Sequence, residues 1–153
     1  MDEILNGKTV LVVDDTAVMR MLVTDILGSV GVRIIEAGSG ERALQIARDN
    51  AVDAFLLDVR MGDMNGIELC RQLRSMDAYR NAPIIFVTAV DQREVLQWAL
   101  EAGADDFIQK PLHAMVLRRR LANLLQKAAS IRQAELMSLS LQRYVSPRTG
   151  EIA

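Results

Sequence analysis

Five short apolar runs recur through the chain: TVLVV (9–13), RIIEA (33–37), DAFLL (53–57), PIIFV (83–87) and DFIQ (106–109). Between them lie amphipathic stretches of helical length, at about 16–29, 40–50, 65–76 and 91–102, and a fifth begins after Pro111. Such alternation with short connections predicts an α/β fold of five βα units. Parallel strands need a crossover between them, a helix is the usual crossover, and helices then cover both faces of the sheet. The unbroken apolarity of TVLVV and PIIFV suits strands buried on both faces. Helix ends are marked locally: Asp91 with Glu94 three residues later predicts an N-cap, and Gly103 follows the 91–102 pattern where a left-handed residue ends a helix.

Half of the 153 residues are hydrophobic, enough for one folded domain plus an appendage. With 18 basic and 20 acidic residues the formal net charge is −2, so no overall field recommends nucleic acid or an anionic membrane as partner. Cys70 is the only cysteine, which excludes an internal disulfide, and its place in GIELCRQLR predicts packing. His113 is the only histidine, so one chain assembles no histidine metal cluster or histidine-based triad; it is expected in an exposed loop or at a helix start. MDEILNGKTV has no basic leader before an apolar core, and no apolar run approaches the ~18 residues of a membrane span, so a cytoplasmic protein is expected.

Ligands of an open parallel sheet bind beyond the carboxyl ends of its strands, where strand order reverses. There the first strand ends in Asp14 and Asp15, the third in Asp58, the fourth in Thr88 and the fifth in Lys110. Adjacent carboxylates repel, and their excess charge suits a hard divalent cation, most simply Mg²⁺, which takes one or two carboxylates and fills its shell with water and phosphoryl oxygens. Asp58, alone at a central strand end, can attack phosphorus as a carboxylate nucleophile. Thr88 and Lys110 can stabilise the charge that builds on the equatorial oxygens.

Two other chemistries compete for parts of this set. GSGERA (38–43) fits the G-x-G-x-x-A dinucleotide fingerprint with Asp58 downstream, but that leaves Asp14, Asp15, Thr88 and Lys110 without a role, and a tight turn with Ser39 at a helix start explains the glycines. Haloacid-dehalogenase-like phosphatases also pair an aspartate nucleophile with Mg²⁺, Thr and Lys. They need D-x-D on the first strand, where this chain has adjacent aspartates.

VVDD, LLDVRMGDMNG, VTA and the terminal KP together resemble the receiver domain of bacterial two-component response regulators, over about residues 8–125. The resemblance implies a doubly wound, flavodoxin-like sheet in the order 2-1-3-4-5. It also implies that Asp58 accepts a phosphoryl group from a histidine kinase or phosphotransfer protein. Asp14, Asp15, Asp58 and the backbone carbonyl of Arg60 would hold Mg²⁺, Thr88 and Lys110 would contact the phosphoryl group, and Thr88 and Phe107 would form the switch. Lys110–Pro111 would be cis. Such a domain catalyses only its own phosphorylation and dephosphorylation, and it signals through the face of its fourth helix, fifth strand and fifth helix. A receiver-like interaction module that never takes phosphate is the non-enzymatic alternative; such relatives usually lack an acidic or lysine position that is present here. The usual Met-Pro after the acceptor is Met61-Gly62. Arg60 and Val90 occupy the positions that adjust phosphoryl lifetime in this family, and here they imply slow loss.

After Gln109 no strand signal remains, and Leu112 to about Arg143 has helix-forming composition. A receiver at 1–125 and a helical extension at 126–153 are therefore expected. The thirty or so residues after the receiver hold no helix-turn-helix, and Arg118, Arg119 and Arg120 read as a solvated basic run. Leu117, Leu121, Leu124, Ala128 and Ile131 recur at spacings of four and three, the seam of a two-stranded coiled coil, so pairing of two chains beyond about Leu124 is expected. LQRYVSPR (141–148) resembles the junction before a class III nucleotide cyclase domain, with diguanylate cyclase linkers the nearest alternative. On the 91–102 helix Val95, Leu96, Ala99 and Leu100 are expected inward, with Trp98 at the outer margin.

Overall fold

The computed structural model describes residues 2–62 and 64–152, with side chains for 3–62 and 64–142. Its elements are α1 (Asp2–Leu5), β1 (Thr9–Val13), α2 (Ala17–Gly28), β2 (Arg33–Ala37), α3 (Gly40–Asp49), β3 (Ala54–Leu57), α4 (Gly66–Arg74), β4 (Ile84–Thr88), α5 (Arg93–Glu101), β5 (Asp106–Gln109) and α6 (Ala114–Ile152). The five strands form one parallel sheet in the order β2-β1-β3-β4-β5, the doubly wound order expected above.

Strand periodicity divides the core into two layers. Leu11, Val13, Phe55, Leu57, Ile84 and Phe86 face α3, α4 and α5, while Val10, Val12, Ala54, Leu56, Ile85 and Val87 face α2 and α6. Both sides of β1, β3 and β4 are therefore apolar, the physical reason those segments show no polar alternation. Edge strand β2 is half exposed and carries Arg33 and Glu36.

Local caps work where side chains can reach. Ser39 accepts from the Arg42 amide and Asn65 from the Glu68 amide. The expectation at Asp91 fails: α5 starts at Arg93, its N-cap is Gln92, and no side chain caps it. Gly103 has φ +108° and ends that helix as expected. Leu100 is also corrected, being 45% exposed rather than inward, and Trp98 is 52% exposed. The helix touches the sheet along a narrow stripe centred on buried Ala99, so residues at its edge stay wet.

Helix α1 has no sequence signal because four residues are too few for a period. It forms because Leu5 is wholly buried against Leu117, Leu121 and Leu125 of α6. The basic run is not merely solvated. The Arg118 guanidinium donates to the Ile26 carbonyl and Ser29 Oγ at the end of α2, and Arg120 donates to Asp106 and to the Phe107 carbonyl.

Cys70 is fully buried with its Sγ 3.5 Å from the Ala102 carbonyl, and burial pushes its pKa up to about 11 from 9.0. The folded state thus favours the neutral thiol. That stabilisation is complete below pH 9 and is lost as pH rises through about 11. At neutral pH the native thiol should resist aromatic disulfide reagents and react at once in denaturant; fast native reaction would show that the α4 packing opens readily.

Candidate functional site

The carboxyl ends of β1, β3, β4 and β5 bring four of the expected groups into contact. The Asp58 amide donates to the Val13 carbonyl and the Lys110 amide to the Thr88 carbonyl, so ladder bonds carry the strand register into the site. Lys110 Nζ donates to Asp58 Oδ2 at 2.8 Å and to Asp14 Oδ2 at 3.1 Å. Thr88 Oγ1 donates to Asp58 Oδ1 at 2.9 Å and accepts from the Val90 amide. Asp58 Oδ1 also accepts from the Arg60 amide at 3.2 Å, and Asp14 Oδ1 from the Thr16 amide at 2.9 Å. Among the described residues Asp14, Asp58 and Thr88 are the buried polar ones, and no described buried side-chain nitrogen or oxygen lacks a partner.

Burial of Lys110 works against its charged form, but its hydrogen bonds to Asp58 and Asp14 and their charges outweigh that, so its pKa lies above the ordinary lysine value. The ammonium therefore sits as a fixed cation between two carboxylates. Asp15 is exposed, and its one described side-chain hydrogen bond comes from Thr16 Oγ1 at 3.5 Å. Three carboxylates against one ammonium leave two negative charges at this mouth.

That surplus and the all-oxygen donor set fit a hard divalent ion. Among the described residues no three carboxylate, imidazole or thiol groups converge into a ready cage. Mg²⁺ needs none, since it binds through one or two carboxylates and keeps several waters. Asp14, Asp15 and Asp58 are the residues that could hold it.

The remaining expected residues lie at the rim. Arg60 is exposed, Val90 is buried, and both line a cleft of about 500 Å³ with Asp15, Met61, Gln92 and Trp98. Phe107 is partly buried against the α3–α5 core layer. Gly62 has φ +23°, which explains why this loop does without the usual proline, whose ring holds φ negative. The Lys110–Pro111 peptide is cis, as expected.

Two supporting residues escaped the reading of the sequence. A Cβ on Gly66 would run into the Asp58 carbonyl oxygen and lie 2.8 Å from the Phe86 ring. Its only signal was the Asn-Gly pair at a helix start. Arg20 donates from Nη1 to the Asp14 carbonyl at 2.6 Å and from Nε to Glu36 Oε1 at 3.2 Å. Nothing in its spacing announced that.

Residues 10–122 match the response regulator receiver domain. The chain belongs to that family. A chemotaxis protein CheY of Thermotoga maritima is 39% identical to this receiver over 106 residues, 69% of the chain and 87% of that protein. The cyclic di-GMP phosphodiesterase response regulator RpfG of Xanthomonas campestris pv. campestris is 32% identical over 148 residues, 95% of this chain. The receiver chain spans only 39% of that relative and 38% of a cyclic di-GMP phosphodiesterase of Thermotoga maritima. Among solved structures, the receiver domain of a sensor histidine kinase from Pseudomonas aeruginosa PAO1, with a magnesium ion coordinated in its active-site cleft, superposes with a TM-score of 0.73 at 29% identity, covering 78% of this chain and 98% of that one. A response regulator from Chloroflexus aurantiacus gives 0.75 at 32% identity, over 78% and 98%.

Proposed function

We propose that this receiver takes a phosphoryl group onto Asp58 from the phosphohistidine of a sensor kinase or phosphotransfer protein, with Mg²⁺ held by Asp14, Asp15, Asp58 and the Arg60 carbonyl. The observation that carries the reading is the convergence of Lys110 and Thr88 on the two oxygens of one buried strand-end carboxylate. One Asp58 oxygen attacks phosphorus, the P–N bond breaks, and its electron pair leaves with the imidazole. Mg²⁺, when bound, neutralises charge on the phosphoryl oxygens. Thr88, which now donates to Asp58 itself, transfers that hydrogen bond to the phosphoryl group. Moving Thr88 opens space beside β4 into which Phe107 can turn, a population shift that rests on packing because Phe has no hydroxyl to hold its outward position.

A haloacid-dehalogenase-like phosphatase is disfavoured because the isolated aspartate stands on β3 and not on β1. A phosphate-free interaction module is disfavoured by the complete set of acidic, hydroxyl and ammonium groups. Beryllofluoride with Mg²⁺ should bind at Asp58 and shift the amide resonances of Asp58, Thr88 and Lys110. Unshifted spectra at saturating reagent would overturn the phosphoacceptor reading.

Output runs through α6. Leu125 is its last buried residue in the described chain, which supports a receiver unit ending near 125 and an extension at 126–153. Of three relatives matched over 148 or 145 residues, through most of the extension, two are named cyclic di-GMP phosphodiesterases and one a response regulator, MprA of Mycobacterium leprae; an appended output domain is proposed here without its chemistry. From Arg143 on, the LQRYVSPR stretch lies outside the residues whose side chains are described. At 39 residues and 1.5 Å per residue α6 is roughly 58 Å long. Leu117 and Leu121 are buried in the receiver, whereas Ile131, Leu136, Met137, Leu139 and Leu141 are exposed. Pairing with a second copy is the proposed cover for that surface. Sedimentation should show reversible dimers at tens of micromolar that a chain ending at Leu125 does not form; monomers for both would remove the dimer. Among the described residues no helix is long and apolar enough to cross a membrane.

A further inference from the structure

We propose that Arg20 is a positioning residue for divalent-cation capture, acting through the peptide that joins Asp14 to Asp15. The role rests on the reading of these aspartates as cation ligands. The Asp14 backbone is tied on both sides: its amide donates to the Ala37 carbonyl at 3.2 Å and its carbonyl accepts from Arg20 Nη1 at 2.6 Å. Its carboxylate is tied too, to the Thr16 amide and the Lys110 ammonium. Asp15 has no comparable restraint, being exposed with a single long contact from Thr16. The peptide plane preceding it anchors the backbone from which its side chain starts, and Arg20 holds the oxygen of that plane.

The guanidinium is itself held. Nε donates to Glu36 on β2, the Arg20 side chain is 21% exposed, and Nη1 would be 3.5 Å from a Cβ on Gly38, so the group fills the angle between the β1–α2 and β2–α3 turns. Its stem rises from α2, whose backbone at this point is fixed by the Arg20 amide donating to the Thr16 carbonyl. Only a long side chain with several donors in one plane can reach both the Asp14 carbonyl and Glu36 from that helix.

Charge and position make opposite demands here. A cation beside an acidic site weakens binding of another cation, so if Arg20 acted only as a charge, removing it would tighten Mg²⁺ binding. If it positions Asp15, removing it loosens binding, and loss of a residue that orients a metal ligand typically costs 10–100-fold in affinity.

The test is calorimetric titration of the full chain with Mg²⁺, with amide resonances of residues 14–17 followed in parallel. Arg20→Met should bind Mg²⁺ on the order of tenfold more weakly than the unaltered chain, and its 14–17 resonances should be displaced before any metal is added. Arg20→Lys, which keeps the charge and one donor, should recover part of the affinity, and it carries the test alone if Arg20→Met does not fold. Glu36→Gln, which leaves the Asp14 contact in place, should have a smaller effect. Affinity that is unchanged or tighter in both Arg20 variants overturns the positioning role and leaves the cation site standing. An unaltered chain that binds no Mg²⁺ sinks the cation site and the role of Arg20 with it.

Discussion

Asp58→Asn should abolish labelling of the chain by acetyl phosphate and Mg²⁺ while leaving it folded. The amide keeps the shape of the side chain but lacks the anionic oxygen that attacks phosphorus. The other carboxylates at the mouth are poorly placed to replace it: Asp14 is engaged with Thr16 and Lys110, and the one described side-chain hydrogen bond of Asp15 is to Thr16, not to Thr88 or Lys110. Stability should not fall, because neutralising one of three neighbouring carboxylates relieves repulsion and Lys110 retains Asp14. The measurement is mass spectrometry of the intact chain after treatment, with a thermal melt beside it. Normal labelling of this variant would end the assignment of Asp58. An unfolded variant would instead show that the Asp58 hydrogen bonds to Thr88 and Lys110 are needed for the fold.

Gly66→Ala should destabilise the domain by about 3 kcal/mol, the upper part of the range for overpacking a filled core. Glycine is needed here for space and not for an unusual φ. The first turn of α4 is pulled onto β3 by the Gly66 amide donating to the Val59 carbonyl at 2.8 Å, and the missing Cβ lets the helix backbone lie against the Asp58 carbonyl and the Phe86 ring. None of those atoms can move aside cheaply. The Asp58 carbonyl belongs to the peptide that carries the proposed phosphoacceptor, so the same change should also slow labelling. Urea denaturation measures the first effect, and a midpoint equal to that of the unaltered chain would mean that α4 can shift outward without penalty.

These expectations depend unevenly on sequence and on structure. Strand positions were legible because β1, β3 and β4 are apolar on both faces, and a continuous apolar run bounded by turn residues has few other solutions. Site residues were legible for a related reason. A doubly wound sheet sends every strand's carboxyl end to one edge, so Asp14, Asp58, Thr88 and Lys110 could be grouped before any distance was known. Their contacts at 2.8–3.1 Å follow from the parallel register.

What periodicity could not reach depends on groups distant in the chain. Leu100 had the spacing of a core residue and is exposed, because the width of the buried stripe on α5 is set by how closely that helix approaches the sheet. Asp91 had the spacing of a cap, but the turn after β4 delays the helix to Arg93. Helix α1 exists only because α6 offers a surface for Leu5. Arg118 and Arg120 read as solvated charge until the ends of α2 and β5 supplied carbonyls for them. By itself the sequence determined the order of elements, the two-sided core and the identity of the residues at the carboxyl edge of the sheet, since each follows from local pattern and chain connectivity. Only the tertiary structure decided which arginines brace that edge, that Gly66 must lack a side chain, and which residues of α6 are buried against the sheet, because those depend on separations between segments that the one-dimensional pattern does not encode.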